Sequence, residues 1–96
     1  MAYSVIISSR AQKEIESAID FYTLNSENAP ENFITELQGA YELLATNPFY
    51  RIRYKNVRAV ALKKFPYYLY YIINAKEYTV RILSCFHGRR NPNARP

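Results

Sequence analysis

Apolar positions along the chain change their period in a way that divides it into elements. Residues 3–7, Tyr-Ser-Val-Ile-Ile, form a short β-prone run that reads as a strand, ended by Ser8-Ser9. Ser9 and Gln12 then make an S-x-x-Q capping-box pattern. Ala11, Ile15, Ala18, Ile19 and Tyr22 follow at the spacing of one helical face, which predicts an amphipathic helix to about Asn25. Asn28-Ala29-Pro30-Glu31 opens a second helix, with Asn as cap, Pro in the first turn and Glu at the positive end of the dipole. Phe33, Leu37, Ala40, Tyr41 and Leu44 repeat the apolar stripe, and Asn47-Pro48 ends it. Residues 49–56 look irregular, basic and aromatic, and are assigned as a loop.

The remaining apolar runs alternate as strands do. Strands are predicted over 57–65, 67–73 and 78–87, joined by links short enough for antiparallel neighbours. In that scheme Arg58, Val60, Leu62 and Lys64 share one face of the first strand. Arg81, Leu83, Cys85 and His87 share one face of the last. The expected fold is α+β in the order β-α-α-β-β-β, one domain over residues 1–96. A helical hairpin packs on one face of a small antiparallel sheet, and the other face is left to a basic surface. The main core is expected from Ile15, Ile19, Tyr22, Phe33, Leu37, Tyr41 and Leu44.

Charge sharpens this picture. Residues 1–50 carry two basic side chains against seven acidic ones, whereas residues 51–96 carry eleven against Glu77 alone. Such segregation suggests an anion-binding surface, for nucleic acid or for an acidic protein segment; a merely solvated surface accounts for the net charge but less well for its segregation. Cys85 is the single cysteine, which excludes an internal disulfide and fits a reducing compartment. The N-terminus has no basic segment followed by an apolar core, and the longest apolar stretch, 67–73, is too short to span a bilayer. A cytoplasmic protein with no membrane partner is expected.

Candidate chemistry is sparse. His87, the only histidine, precedes Gly88-Arg89-Arg90. A neutral-pH acid or base beside two phosphate-binding guanidiniums is one reading; a hydrogen-bonded strand-end histidine with solvated arginines is the simpler one. One His and one Cys cannot complete a zinc site, and two glycines supply no phosphate loop, so no metal or cofactor is expected. Cys85 reads as a core residue and not as a nucleophile. Tyr67-Tyr68-Leu69-Tyr70-Tyr71 could stack bases, or could simply place alternate tyrosines on the two faces of a strand. Arg51, Arg53 and Lys55 alternate with Ile52 and Tyr54, as a basic ridge or as a solvated loop.

The order strand, helical hairpin, three-stranded meander resembles the RelE/ParE toxin superfamily. The segment Arg58…Leu62…Phe65-Pro66-Tyr67 is similar to an R-x-x-x-L-x-x-F-P-Y pattern of the ParE branch. His87-Gly88-Arg89-Arg90-Asn91-Pro92 resembles its H-x-R-R-D/N-P ending, and the strand-to-helix opening with Tyr22 also fits. The resemblance implies a type II toxin that stabilises a plasmid or chromosome and is neutralised by a cognate antitoxin. ParE-like members inhibit DNA gyrase; RelE-like members cut mRNA on the ribosome. The ending here is closer to ParE, which implies a non-enzymatic gyrase inhibitor. In the ribonuclease alternative His87 would act as acid or base while Arg58, Arg81 and Arg89 hold phosphate. A third alternative is a non-toxic interaction or nucleic-acid-binding module. Residues expected to meet the target or antitoxin are Arg51, Arg53, Lys55, Arg58, Arg81, His87, Arg89 and Arg90.

Overall fold

A computed structural model describes residues 2–25 and 27–88. Strand β1 (Ser4–Ile7) leads into helix α1 (Ser9–Asn25) and helix α2 (Ala29–Thr46), followed by β2 (Ile52–Tyr54), β3 (Val57–Ala61), β4 (Tyr67–Asn74) and β5 (Thr79–His87). The five strands form one sheet in the order β1-β5-β4-β3-β2. The meander β2 to β5 is antiparallel, while β1 lies parallel to β5, so the sheet is mixed and not wholly antiparallel as expected. The helical hairpin between β1 and the meander is what lets β1 run in the same direction as its neighbour.

The stretch assigned to a loop contains β2. Its alternation of Arg51, Arg53 and Lys55 with Ile52 and Tyr54 is itself a period-2 pattern. The strand is short, exposed and basic, as sheet edges commonly are. Lys55 adopts φ 50° in the tight turn between β2 and β3, a left-handed conformation that is costly for a side chain with Cβ.

The apolar stripes of α1 and α2 meet the sheet as their spacing requires. Ala11, Ile15 and Ala18 of α1 and Phe33, Leu37, Ala40 and Leu44 of α2 are buried with Leu62, Tyr67, Leu69, Tyr71, Val80, Ile82 and Cys85. Ile19, Tyr22 and Tyr41 pack at the margin of this core and stay partly exposed. Tyr22, Phe33, Phe65 and Tyr67 form an aromatic cluster with edge-on or tilted contacts at centroid distances of 5.0–6.4 Å. Edge-on packing of this kind adds to the burial of the rings.

Helix α1 is capped by Ser8, and not by Ser9: the Ser8 hydroxyl accepts the Ala11 N–H at 3.1 Å. Asn28 occupies the cap position of α2 without a side-chain hydrogen bond, so Pro30 and Glu31 carry the start of that helix. Asn47 closes it, its N–H donating to the Leu43 carbonyl, and Pro48 follows.

Strand β5 contains a bulge. Tyr70 pairs with Ser84 and Tyr71 with Ile82, leaving Leu83 as the extra residue. Two side chains from α1 and the residue before it hold it. Ser8 Oγ donates to the Leu83 carbonyl at 3.0 Å, and Glu14 Oε1 accepts from Ser84 Oγ at 2.7 Å and from the Cys85 N–H at 3.2 Å. The Ser84 side chain is fully buried, so the Glu14 carboxylate satisfies a polar group that has no access to water. Arg10 Nε lies 3.6 Å from the other Glu14 oxygen.

Candidate functional site

The bulge decides where the basic residues of β5 point. Arg81 pairs with Ile72, whose neighbour Tyr71 faces the helices, so Arg81 projects from the opposite face and is exposed. After the bulge the alternation is shifted. Cys85 joins the helix-facing core, and His87, paired with Tyr67, lies on that same side with its ring 5.1 Å from the Tyr67 ring. Arg81 therefore does not share a face with Cys85 and His87, contrary to the uninterrupted alternation expected. One inserted residue moves every later side chain to the other face.

Arg58 is on the helix side of β3, opposite Tyr71. Its guanidinium donates to the Tyr50 carbonyl at 2.5 Å and stands 5.4 Å from the Phe49 ring centroid. Tyr71, fully buried, donates its hydroxyl to the Pro48 carbonyl at 2.7 Å. These two side chains fasten the segment between α2 and β2, and so fix where Arg51 and Arg53 emerge. Burial pushes the Tyr71 hydroxyl up to about 12, partly opposed by a backbone hydrogen bond at Tyr50 and by the Arg58 charge.

The would-be catalytic residues do not converge. Arg58 and His87 are on one side of the sheet but pair with positions four apart on β4, roughly 13 Å along the strand. Arg81 is on the other side. Arg51, Arg53 and Lys55 do gather, in and around β2, and all three are exposed. Arg89 and Arg90 lie outside the described residues.

The sheet face away from the helices carries what the sequence pointed to only loosely. Of the tyrosine run, Tyr67 and Tyr71 enter the core, while Tyr68 and Tyr70 lie half-buried on the opposite face, ring centroids 6.4 Å apart. Arg53 places its guanidinium 5.7 Å from the Tyr68 centroid. Gly88 leaves room for that ring: a Cβ at this position would lie 2.9 Å from Tyr68 Cε2. The Gly88 N–H donates to the Pro66 carbonyl at 2.7 Å, tying the end of β5 to the β3–β4 turn. A cleft of about 450 Å³ beside β2 is lined by Tyr50, Arg51, Ile52, Arg53 and Ala59.

Two structural residues escaped the sequence reading. Glu14 falls on the apolar stripe of α1, between Ala11 and Ile15, and a carboxylate in that place was the available signal for a buried acceptor. Tyr71 gave no separate signal, because its partner is a backbone carbonyl distant in sequence. Among the described residues no cluster of His, Cys, Asp and Glu is arranged to hold a metal ion, and no helix is long and apolar enough to cross a membrane.

Comparison with known proteins gives the decisive observation. Residues 5–92 match the family profile of the ParE toxin of the type II toxin–antitoxin system parDE. The chain belongs to the ParE toxin family. Its fold is shared more widely. A chain of the chromosomal ParDE system from P. aeruginosa superposes with TM-score 0.65 at 16% identity, covering 90% of this chain and 96% of that one. A chain of the RelBE2 toxin–antitoxin complex from Mycobacterium tuberculosis gives TM-score 0.64 at 18% identity, covering 91% and 99%. The free RelE toxin of E. coli, in a doubly substituted form, gives 0.66 at 18% identity, covering 93% and 86%. No curated protein matches the chain in sequence. This ParE-family toxin thus has the RelE/ParE fold, with a helical hairpin on one side of a mixed sheet and a basic, aromatic surface on the other.

Proposed function

We propose that this toxin inhibits DNA gyrase in the cytoplasm without cleaving RNA, and that a cognate antitoxin neutralises it. The observation that carries the choice between gyrase and ribosome is the separation of His87, Arg58 and Arg81. Cleavage of a phosphodiester needs an acid or base and a phosphate-holding cation at one phosphorus. Here Arg58 is engaged with Tyr50 and Phe49, and Arg81 is on the opposite face from His87. The ParE-family match over most of the chain supports the same reading. Expression without antitoxin should arrest growth, and His87→Ala should remain toxic if folded. Loss of toxicity in the folded variant, together with ribosome-dependent mRNA cleavage by the parent, would overturn the gyrase reading.

The antitoxin partner is supported by the chemistry of two surfaces and by the toxin–antitoxin complexes that share the fold. An open groove of about 360 Å³ runs between α2 and β3, with Ala40, Leu43, Val60 and Leu62 in its lining. The exposed cations Arg51, Arg53, Lys55 and Arg81 lie elsewhere on the sheet, with Arg58 behind them. An antitoxin segment with an apolar stripe and acidic flanks satisfies both. Its association rate should fall as salt rises; an unchanged rate would mean that charge does not recruit it.

A further inference from the structure

The sheet face away from the helices combines features that an acidic peptide would leave half used. Tyr68 and Tyr70 are half-buried side by side on β4, with centroids 6.4 Å apart. The Arg53 guanidinium stands 5.7 Å from the Tyr68 centroid. Arg51 and Arg53 line the adjoining 450 Å³ cleft, and Arg81, exposed on the same face, pairs with Ile72, two residues along β4 from Tyr70. Glu77, in the turn between β4 and β5, is the only acidic residue from 51 to 88.

We propose that this face binds a single strand of DNA, with bases against Tyr68 and Tyr70 and phosphates on Arg51, Arg53 and Arg81. Planar rings flanked by cations suit a ligand that alternates flat apolar groups with anions, which is the make-up of an unpaired polynucleotide. Acidic side chains would engage the arginines but offer the tyrosine rings no flat partner. A duplex would present phosphates but keep its base faces stacked inside. Arg53, already beside Tyr68, swings to a phosphate while a base takes its place on the ring. The clamp of Arg58 and Tyr71 on the carbonyls of Pro48 and Tyr50 fixes the backbone from which the cleft's arginines emerge and leaves their side chains free to turn. The choice of DNA over RNA rests on the gyrase reading, because gyrase works on DNA; the binding surface itself does not.

The test is fluorescence anisotropy of a labelled short oligothymidylate with the full chain and no gyrase. RNA of the same length, duplex DNA and a polyglutamate peptide serve as the other arms. Tyr68→Leu and Tyr70→Leu, each checked for an unchanged melting curve, should weaken oligothymidylate binding about 5–100-fold, while Tyr68→Phe should bind like the parent. Arg51→Gln should lower the slope of log affinity against log salt by about 0.7. Absence of binding at low salt, or binding indifferent to both Leu substitutions, overturns the proposal. So does duplex bound as tightly as single strand, or polyglutamate bound in preference to DNA. Tighter binding of RNA overturns the choice of DNA. A protein that blocks supercoiling but does not bind the oligonucleotide refutes this inference alone and leaves the gyrase reading standing.

Discussion

Tyr71→Phe removes one oxygen from the interior and tests how the segment before β2 is held. The hydroxyl donates to the Pro48 carbonyl at 2.7 Å from a fully buried side chain, and Pro48 is itself buried. After the substitution that carbonyl keeps one partner, the Tyr50 N–H at 2.9 Å. The loss is therefore nearer that of an ordinary hydrogen bond than that of a stranded polar group, about 1–1.5 kcal/mol. In a domain of this length that corresponds to a melting temperature lower by roughly 4–12 °C. The same oxygen predicts a pH dependence. Burial pushes the Tyr71 hydroxyl from 10 up to about 12, so the folded chain keeps a proton that the unfolded chain has lost. Parent stability should therefore fall as pH rises from about 10 to 12. The variant has no such group, so its deficit at pH 7 should shrink through that window. Thermal melting by circular dichroism at neutral and alkaline pH measures both effects. Equal melting temperatures at pH 7, or a deficit that stays constant into alkali, would refute the described role of Tyr71.

Other outcomes follow from the same packing. Leu37, 4% exposed between α2 and the sheet, should cost about 2–5 kcal/mol as Leu37→Ala; urea denaturation and protease sensitivity report it, and a parent-like midpoint would mean that the helix face is wrongly assigned. Glu14→Ala leaves buried Ser84 Oγ and the Cys85 N–H without their acceptor and should destabilise by roughly 2–3 kcal/mol, seen as faster amide exchange at the β5 bulge; unchanged exchange there would contradict the latch. Cys85, 1% exposed, should resist a thiol reagent until the protein is unfolded; rapid labelling of the native protein would show the core to be open.

How much of this was legible in the sequence follows from how local each determinant is. The stripes of α1 and α2 are set by neighbours three and four residues apart, so Phe33, Leu37 and Leu44 fall where the spacing put them. The alternation of β3 and β4 is equally local, and it separated Tyr67 and Tyr71 from Tyr68 and Tyr70. The bulge at Leu83 is not local. It depends on Ser8 and Glu14 reaching across from the other end of the chain, and it is what parts Arg81 from His87. The parallel pairing of β1 with β5 has the same character, because only the packed hairpin brings the first strand beside the last. In β2 the pattern was present, but its many charges concealed a strand whose exposure comes from its place at the sheet edge. For the site, the basic residues could be named from composition, but their division between the two faces required the fold.

The most direct test of the central claim is a supercoiling assay with purified gyrase, relaxed plasmid and the purified toxin. Supercoiling should fall with toxin concentration and recover when equimolar cognate antitoxin is added, with Arg58 and His87 contributing no RNA cleavage in a parallel ribosome assay. Full supercoiling at saturating, folded toxin, together with cleavage of ribosome-bound mRNA, would contradict the account.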